Sequence, residues 1–177
     1  MKIIALKNGS KAVIREVTLD DASQLVDIQL SIANECLYMV SEPDEFNLTV
    51  LEESQRIREN IDKLGNTQLV AEVDGNIIGF AVIRNEIKKR KAHIDVLGIF
   101  IQKEWRETGI GSALMNAMLE SVKNNPLIEK VGLAVFANNE RAIQLYRKLG
   151  FVEEGRRVGE LKFNDEYIDE VLMYKFI

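Results

Sequence analysis

A turn with an arginine and two glycines, residues 106–112, has the clearest chemical pattern in the sequence, Arg-Glu-Thr-Gly-Ile-Gly-Ser. It follows an apolar segment and precedes an amphipathic one, which predicts a strand-to-helix junction. Its glycines let the backbone approach a bulky anion, and a helix N-terminus adds about half a positive charge. The turn is therefore predicted to cradle a pyrophosphate. The residues predicted to contact it are Arg106 (through a bidentate guanidinium), Glu107, Thr108, Gly109, Ile110, Gly111 and Ser112.

Two other phosphate-binding patterns fit this turn poorly. A nucleotide P-loop has a lysine and a hydroxyl residue after its last glycine, whereas Ser112 and Ala113 follow Gly111 here. A Rossmann fingerprint has a small residue three positions after its second glycine, where this chain has Leu114. A Rossmann turn also follows the first strand of its unit, and this one comes after residue 100. A glycine-rich turn without any ligand stays open as a third alternative.

A second block, residues 139–151, reads Asn-Glu-Arg-Ala-Ile-Gln-Leu-Tyr-Arg-Lys-Leu-Gly-Phe. Together with Arg106-x-x-Gly109-x-Gly111, it resembles the GCN5-related N-acetyltransferase (GNAT) family. The family's block is Asn-x-x-Ala-x-x-Leu-Tyr-x-Lys-x-Gly-Phe, and this chain matches every fixed position. Residues 97–101 look like the family's central strand and residues 74–80 like its earlier hairpin. The resemblance therefore covers nearly the whole chain.

The resemblance implies an α/β (α+β) GNAT fold, with a mixed, mostly antiparallel central sheet flanked by helices. It also implies one N-acetyltransferase domain over residues 1–177, with acetyl-CoA as cosubstrate and no metal. The implied reaction is acetyl transfer to a primary amine of a small molecule, protein or peptide, by direct attack on the thioester. Members of the family often form dimers, so a homodimer is a further expectation.

The resemblance also implies roles for individual residues. Tyr146 matches the family's general acid, and a phenol suits protonation of a thiolate because their reference pKa values are about 10 and 8.5. Backbone groups of Ile99, Phe100 and Ile101 are expected to pair with the pantetheine arm. The Ile101 N–H is a candidate oxyanion donor. Asn139 is expected to cap a helix and to touch the cofactor arm.

The general base is not carried over by the motifs, because family members differ in this residue. His93 and Asp95 lie two residues apart on one face of the predicted central strand. If that face lines the acceptor cleft, either side chain can relay a proton, directly or through water. Glu35, on the first predicted helix, is a third candidate.

An acidic segment from Glu35 to Glu45 suggests the class of acceptor. It contains Glu42 and Asp44 and is interspersed with Tyr38, Met39 and Phe46. Acidic groups beside apolar walls suit a cationic amine, such as a polyamine, an aminoglycoside, an amino acid derivative or a peptide N-terminus. A solvated loop without a binding role is the alternative interpretation.

The elements that must position these residues follow from periodicity and turn signals. Asn8-Gly9 predicts a tight hairpin between residues 3–6 and 12–15. A helix is predicted from about Asp20, and another begins at Thr49, with Val50, Ile57, Ile61 and Leu64 at helical spacing. Two strands, the central strand and two strand–helix units precede two closing strands. The predicted order is βααβββαβαββ.

Composition excludes several classes of protein. The single cysteine, Cys36, and the single histidine exclude an internal disulfide, a cysteine-cluster metal site and a multi-histidine site. A net charge of −5 argues against a nucleic-acid surface, and the basic run at residues 88–91 is predicted to be a solvated turn. The sequence has neither a membrane-spanning segment nor a signal peptide, so no membrane partner is expected and a cytoplasmic location is predicted.

Two alternative functions use the same cradle. A non-catalytic acyl-CoA sensor or interaction module would bind the coenzyme without turnover, although the presence of Tyr146 favours an enzyme. A different acyl donor, such as succinyl-CoA, would require a basic residue facing the acyl pocket, and the sequence places none there.

Overall fold

The computed structural model describes residues 1–35, 37–63, 65–85 and 88–177. Cys36 and Leu64, which the sequence analysis mentions, lie outside the described residues. The strands are β1 (Lys2–Ala5), β2 (Lys11–Glu16), β3 (Thr67–Val73), β4 (Asn76–Asn85), β5 (Ile94–Ile101), β6 (Lys130–Phe136), β7 (Val152–Phe163) and β8 (Glu166–Phe176). The helices are α1 (Ala22–Ala33), α2 (Val50–Asp62), α3 (Ile110–Lys123) and α4 (Glu140–Lys148). None of these helices is long and apolar enough to cross a membrane.

All eight strands form one sheet in the order β1-β2-β3-β4-β5-β6-β8-β7. Every neighbouring pair is antiparallel except β5 and β6, so the predicted mixed, mostly antiparallel sheet with flanking helices is confirmed. The element order is ββααβββαβαββ. The predicted order was wrong by one strand, because each arm of the hairpin at Gly9, which has φ 87°, is a strand of its own.

The sheet buries apolar side chains on both faces. On one face, Leu97, Leu133 and Met173 belong to a core that includes the buried residues of α3 and α4. On the other face, Val70 and Phe80 pack with the buried residues of α1 and α2. The two layers of helices are therefore separated by the sheet.

Helix α2 buries only part of its apolar stripe. Ile57 is fully buried, whereas Val50 and Ile61, at helical spacing from it, are 48% and 57% exposed. The buried residues beside Ile57 are Glu53 and Asn60. Positions four before and three after a helical residue share its face, which places these two polar side chains on the inner side of α2.

Strands β5 and β6 pair along only part of their length. Their parallel contact joins Ile94 to Lys130, Asp95 to Val131 and Val96 to Gly132, and it then stops. Strand β5 continues to pair with β4 up to residue 101, and β6 continues to pair with β8 up to residue 136. The second half of β5 is therefore separated from β6 by a gap in the sheet.

The burial of α2 can be tested with two matched substitutions. We expect Ile57→Ala to lower the free energy of unfolding by about 3 kcal/mol, because it leaves a cavity in a packed core. Ile61→Ala, on the exposed side, should change it by less than about 0.5 kcal/mol. Urea unfolding measures both. Equal losses for the two variants would contradict this orientation of α2.

Candidate active site

The predicted pyrophosphate cradle lies at the N-terminus of α3. Gly109 has φ 98° and precedes the helix without any side-chain cap. The Ala113 N–H donates to the Gly109 carbonyl oxygen at 3.1 Å and is the first intrahelical bond. The N–H groups of Ile110, Gly111 and Ser112 precede it and have no intrahelical acceptor. A Cβ on Gly109 would meet no atom within 4 Å, so the space beside this residue is open.

Other residues of the turn maintain its shape. A Cβ on Gly111 would lie 3.1 Å from Ile101 Cδ1 and 3.3 Å from Leu145 Cδ2, so glycine here lets α3 pack closely against β5 and α4. The Thr108 hydroxyl donates to the Trp105 carbonyl at 2.6 Å. Glu107 has a positive φ of 67°. Their predicted contacts with a phosphate stay predictions.

Arg106 and Glu35, to which the sequence analysis gives separate roles, form one ion pair. Arg106 Nη1 and Nη2 lie 2.5 and 2.6 Å from the two Glu35 carboxylate oxygens. Arg106 Nε donates to the Ile101 carbonyl at 3.0 Å, and both charged side chains are largely buried. The guanidinium therefore joins the chain after α1 to the end of β5. A phosphate contact by Arg106 and proton transfer to Glu35 stay predictions, and this pairing favours neither.

Some of the backbone N–H groups of β5 point toward the gap. The Gln102 N–H donates to the Ile78 carbonyl, on the β4 side of β5, at 3.1 Å. Since N–H groups alternate along a strand, those of Ile99 and Ile101 point to the opposite side, into the gap. The Phe100 N–H points to β4. Its backbone was expected to pair with the pantetheine arm, but it does not face the gap. Its ring stacks on Phe80 at 4.7 Å.

Tyr146 lies in α4 and is 7% exposed, with its ring 6.0 Å from that of Phe151. Burial raises the pKa of its phenol to about 12, so the group is protonated at neutral pH. No described side-chain oxygen or nitrogen is both buried and without a partner. Asn139 caps α4 as predicted, accepting a hydrogen bond from the Ala142 N–H at 3.2 Å.

His93 and Asp95 lie at the paired end of β5, away from the gap. Asp95 is 1% exposed and accepts a hydrogen bond from the Asn85 side chain at 2.8 Å, and burial raises the pKa of its carboxyl. Leu97, on the same strand face, belongs to the core beneath α3. The face that was expected to line the acceptor cleft is therefore a core face, and a proton relay through either residue has no geometric support.

The acidic segment lies close to the end of β6. Tyr38 makes an edge contact with Phe136, the last residue of β6, with the ring centroids 6.1 Å apart. The carboxylates of Glu42, Asp44 and Glu45 are exposed, and Glu45 accepts a hydrogen bond from the Glu42 N–H within its own turn. The segment therefore borders the gap, while its charges remain largely solvated.

A cleft of about 320 Å³ lies on the sheet face covered by α1 and α2. It reaches the unpaired half of β5, and of the residues that line it only Phe100 was among the predicted site residues. The spacing of Glu53, Ile57 and Asn60 on one face of α2 was the signal available. The lining residues are Gln29, Glu53, Arg56, Asn60, Gln68, Phe80, Val82, Arg84, Val96, Leu97, Gly98 and Phe100.

Comparison with known proteins identifies the family. A model of the acetyltransferase (GNAT) family matches residues 31–151, more than half of the chain. The chain belongs to this family. An N-alpha-acetyltransferase of Sulfurisphaera tokodaii is 31% identical over 163 residues, which are 86% of this chain and 87% of the relative. An L-amino acid N-acetyltransferase of Escherichia coli K12 is 36% identical over 112 residues, 63% of this chain and 69% of the relative.

A solved structure supports the same assignment. A GNAT-family acetyltransferase of Streptococcus pneumoniae superposes with a TM-score of 0.90 at 29% identity, covering 94% of this chain and 99% of the other. The chain is thus an acetyl-CoA-dependent N-acetyltransferase of the GNAT family. The fold and the two sequence blocks are explained by this membership.

The raised pKa of Tyr146 predicts a pH dependence of stability. The folded pKa of about 12 lies above the unfolded value of about 10. The protonated Tyr146 phenol therefore makes its full contribution to the free energy of unfolding below about pH 10, and this contribution is lost as the pH rises toward 12. From about pH 9 to 11, we expect the wild type to lose about 1 kcal/mol more unfolding free energy than Tyr146→Phe. Urea unfolding at each pH measures these free energies, with Tyr167→Phe, at an exposed position, as the control. An equal pH dependence for wild type and Tyr146→Phe would contradict the raised pKa.

Proposed function

We propose that this GNAT enzyme transfers the acetyl group to a primary amine of a small molecule or peptide by direct attack, with Tyr146 as the general acid. The observation that carries the proposal is the gap between β5 and β6, toward which the Ile99 and Ile101 N–H groups point. An open N-terminus of α3 and the acid-bearing α4 flank the same end of these strands. The proximity of α3, β5 and α4 at Gly111, Ile101 and Leu145 supports a common site for donor binding and proton donation.

Two sets of backbone groups bind the acetyl donor, one at its pyrophosphate and one along its pantetheine arm. The N–H groups of residues 110–112 receive the pyrophosphate, where the dipole of α3 favours negative charge. The Ile99 and Ile101 backbone groups pair with the pantetheine arm as a neighbouring strand would. Acetyl-CoA supplies an activated thioester. The bound thioester then lies in the gap, accessible from the cleft on the α1/α2 face.

The number of protons released in the reaction defines the role of Tyr146. An ammonium acceptor loses two protons when it becomes an amide; one proton ends on the coenzyme sulfur and the other in solvent. As the N–C bond forms and the C–S bond breaks, the Tyr146 phenol protonates the leaving sulfur. The Ile101 N–H donates to the carbonyl oxygen, where negative charge develops. The phenol then recovers a proton from solvent.

Removing the acid tests this role. We expect Tyr146→Phe to lower kcat by about 10²-fold, because the thiolate then leaves without a proton donor, while the Kd for the coenzyme stays within twofold. Thiol release measures turnover, and calorimetry measures binding. Tyr167→Phe, in the exposed closing hairpin, should retain full turnover. If Tyr146→Phe also retained it, Tyr146 would be a core residue only.

The cradle can be tested with two glycines of similar conformation. Gly109 and Gly75 have φ angles of 98° and 81°, and a Cβ on either would meet no atom within 4 Å. Substitution by alanine at either position should lower the free energy of unfolding by about 1 kcal/mol, because an L side chain is strained at a positive φ. Only Gly109→Ala should weaken coenzyme binding, by about 10-fold in Kd by calorimetry, because a methyl group at this turn hinders the close approach of the pyrophosphate to the backbone. Equal Kd values for the two variants would place the pyrophosphate elsewhere.

Three further expectations remain proposals. We propose that residues 1–177 act as one catalytic domain, supported by a single sheet that includes both the first and the last strand. A homodimer and a cytoplasmic location also stay predictions. Strand β7 lies at one border of the sheet, and Val158 on it is well exposed, which is compatible with pairing to a second copy.

A further inference from the structure

We propose that the acceptor is a small zwitterion, an amine that carries a carboxylate or similar anionic group, with Glu53 binding its ammonium and Arg84 its anion. The proposal rests on the proposed function and specifies the acceptor of the same site. It follows from the charges that line the 320 Å³ cleft on the α1/α2 face. Arg56 supplies a second guanidinium there.

Glu53 differs from the other buried carboxylates of the described chain. Asp21 receives two hydrogen bonds from Arg15, and Asp95 receives one from Asn85. Glu53 is 3% exposed and has no side-chain hydrogen bond to any described residue. Its nearest cation, Arg56 Nη1, lies at 3.8 Å, beyond hydrogen-bond distance. Since no described side-chain oxygen or nitrogen is both shielded from solvent and without a partner, the Glu53 carboxylate remains accessible from the cleft that it lines. An ammonium ligand in the cleft would supply a close ionic partner.

The two arginines of the cleft are more exposed than Glu53. Arg56 and Arg84 both contact solvent, and Arg84 has no ion pair with any described residue. The cleft therefore has an anionic group in its buried part and cationic groups in its exposed part. A ligand that extends outward from Glu53 meets positive charge, which suits a carboxylate and repels the second ammonium of a polyamine.

The remaining walls fit a small molecule. Asn60 donates to the Gln68 side chain at 2.7 Å, so these two buried amides satisfy each other and add no charge. The stacked rings of Phe80 and Phe100 provide an apolar surface for an aliphatic or aromatic substituent. A volume of about 320 Å³ lies at the lower end of the range for ligand sites, about 300–1,000 Å³.

The cleft also has access to the reaction centre. Gly98 and Phe100 line it and belong to the half of β5 that has no pairing with β6. An amine held near Glu53 therefore approaches the gap from the face opposite α3. This acceptor class differs from the cationic amine expected from the acidic segment at residues 35–45, whose carboxylates are exposed and screened by solvent.

The first experiment compares acceptors by thiol release with acetyl-CoA. L-Amino acids are each measured against their own carboxamide, with spermidine and a tetrapeptide amide as further acceptors. The carboxamide has the larger fraction of neutral amine, so chemistry alone favours it. We expect the amino acid nevertheless to have a kcat/KM at least about 10-fold higher, as loss of a charged contact predicts. A preference for the carboxamide, spermidine or the peptide would overturn the proposal.

The second experiment assigns the two charges. Arg84→Gln should raise KM for the amino acid by about 10-fold or more, with kcat little changed, and should leave KM for the carboxamide unaltered. Glu53→Gln should raise KM for both, since both carry the ammonium. Arg90→Gln, an exposed arginine that does not line the cleft, is the control. An equal effect of Arg84→Gln on the amino acid and its carboxamide would overturn the assignment.

A binding measurement separates the two proposals. If no acceptor releases thiol, the proposed function fails, and calorimetric titration of the coenzyme-bound protein with the amino acids still tests the cleft. Binding that is weakened at least about 10-fold by Arg84→Gln and unchanged by Arg90→Gln supports the inference. Absence of binding, or binding that Arg84→Gln does not change, overturns it.

Discussion

The active site depends on the short parallel contact between β5 and β6. Only three residue pairs join the strands, and each strand then continues along its other neighbour, β5 with β4 and β6 with β8. These outer pairings keep the two strands apart without unfolding either. The backbone groups of Ile99 and Ile101 are therefore held in place beside the gap, ready to pair with an extended ligand.

The proposed sites of the two reactants lie on opposite faces of the sheet. The open N-terminus of α3 and the Tyr146 phenol belong to the core on one face, and the cleft with Glu53 lies on the other. The gap is where the two faces communicate. Arg106 connects them mechanically, because it bonds Glu35, just after α1, and the Ile101 carbonyl at the end of β5.

The buried carboxylates of the described chain differ in their hydrogen-bond partners. Asp21 and Asp95 lie in the protein with hydrogen-bond partners supplied by Arg15 and Asn85. Glu53 lies just as deep in a cleft without such a partner among the described residues. Its carboxylate borders the cleft on the α1/α2 face. A cationic ligand there would supply the partner that Arg15 and Asn85 supply to the other two carboxylates.

The sequence by itself determined the local features: the turn at Gly109, the cap at Asn139, the strand and helix types and the family blocks. Each depends on residues close together in the chain, so spacing reveals it. Only the tertiary structure decided that Arg106 pairs with Glu35, 71 positions away, and that the Asp95 face is core. Such contacts depend on how helices and strands distant in the sequence pack together, and short-range periodicity does not contain this information.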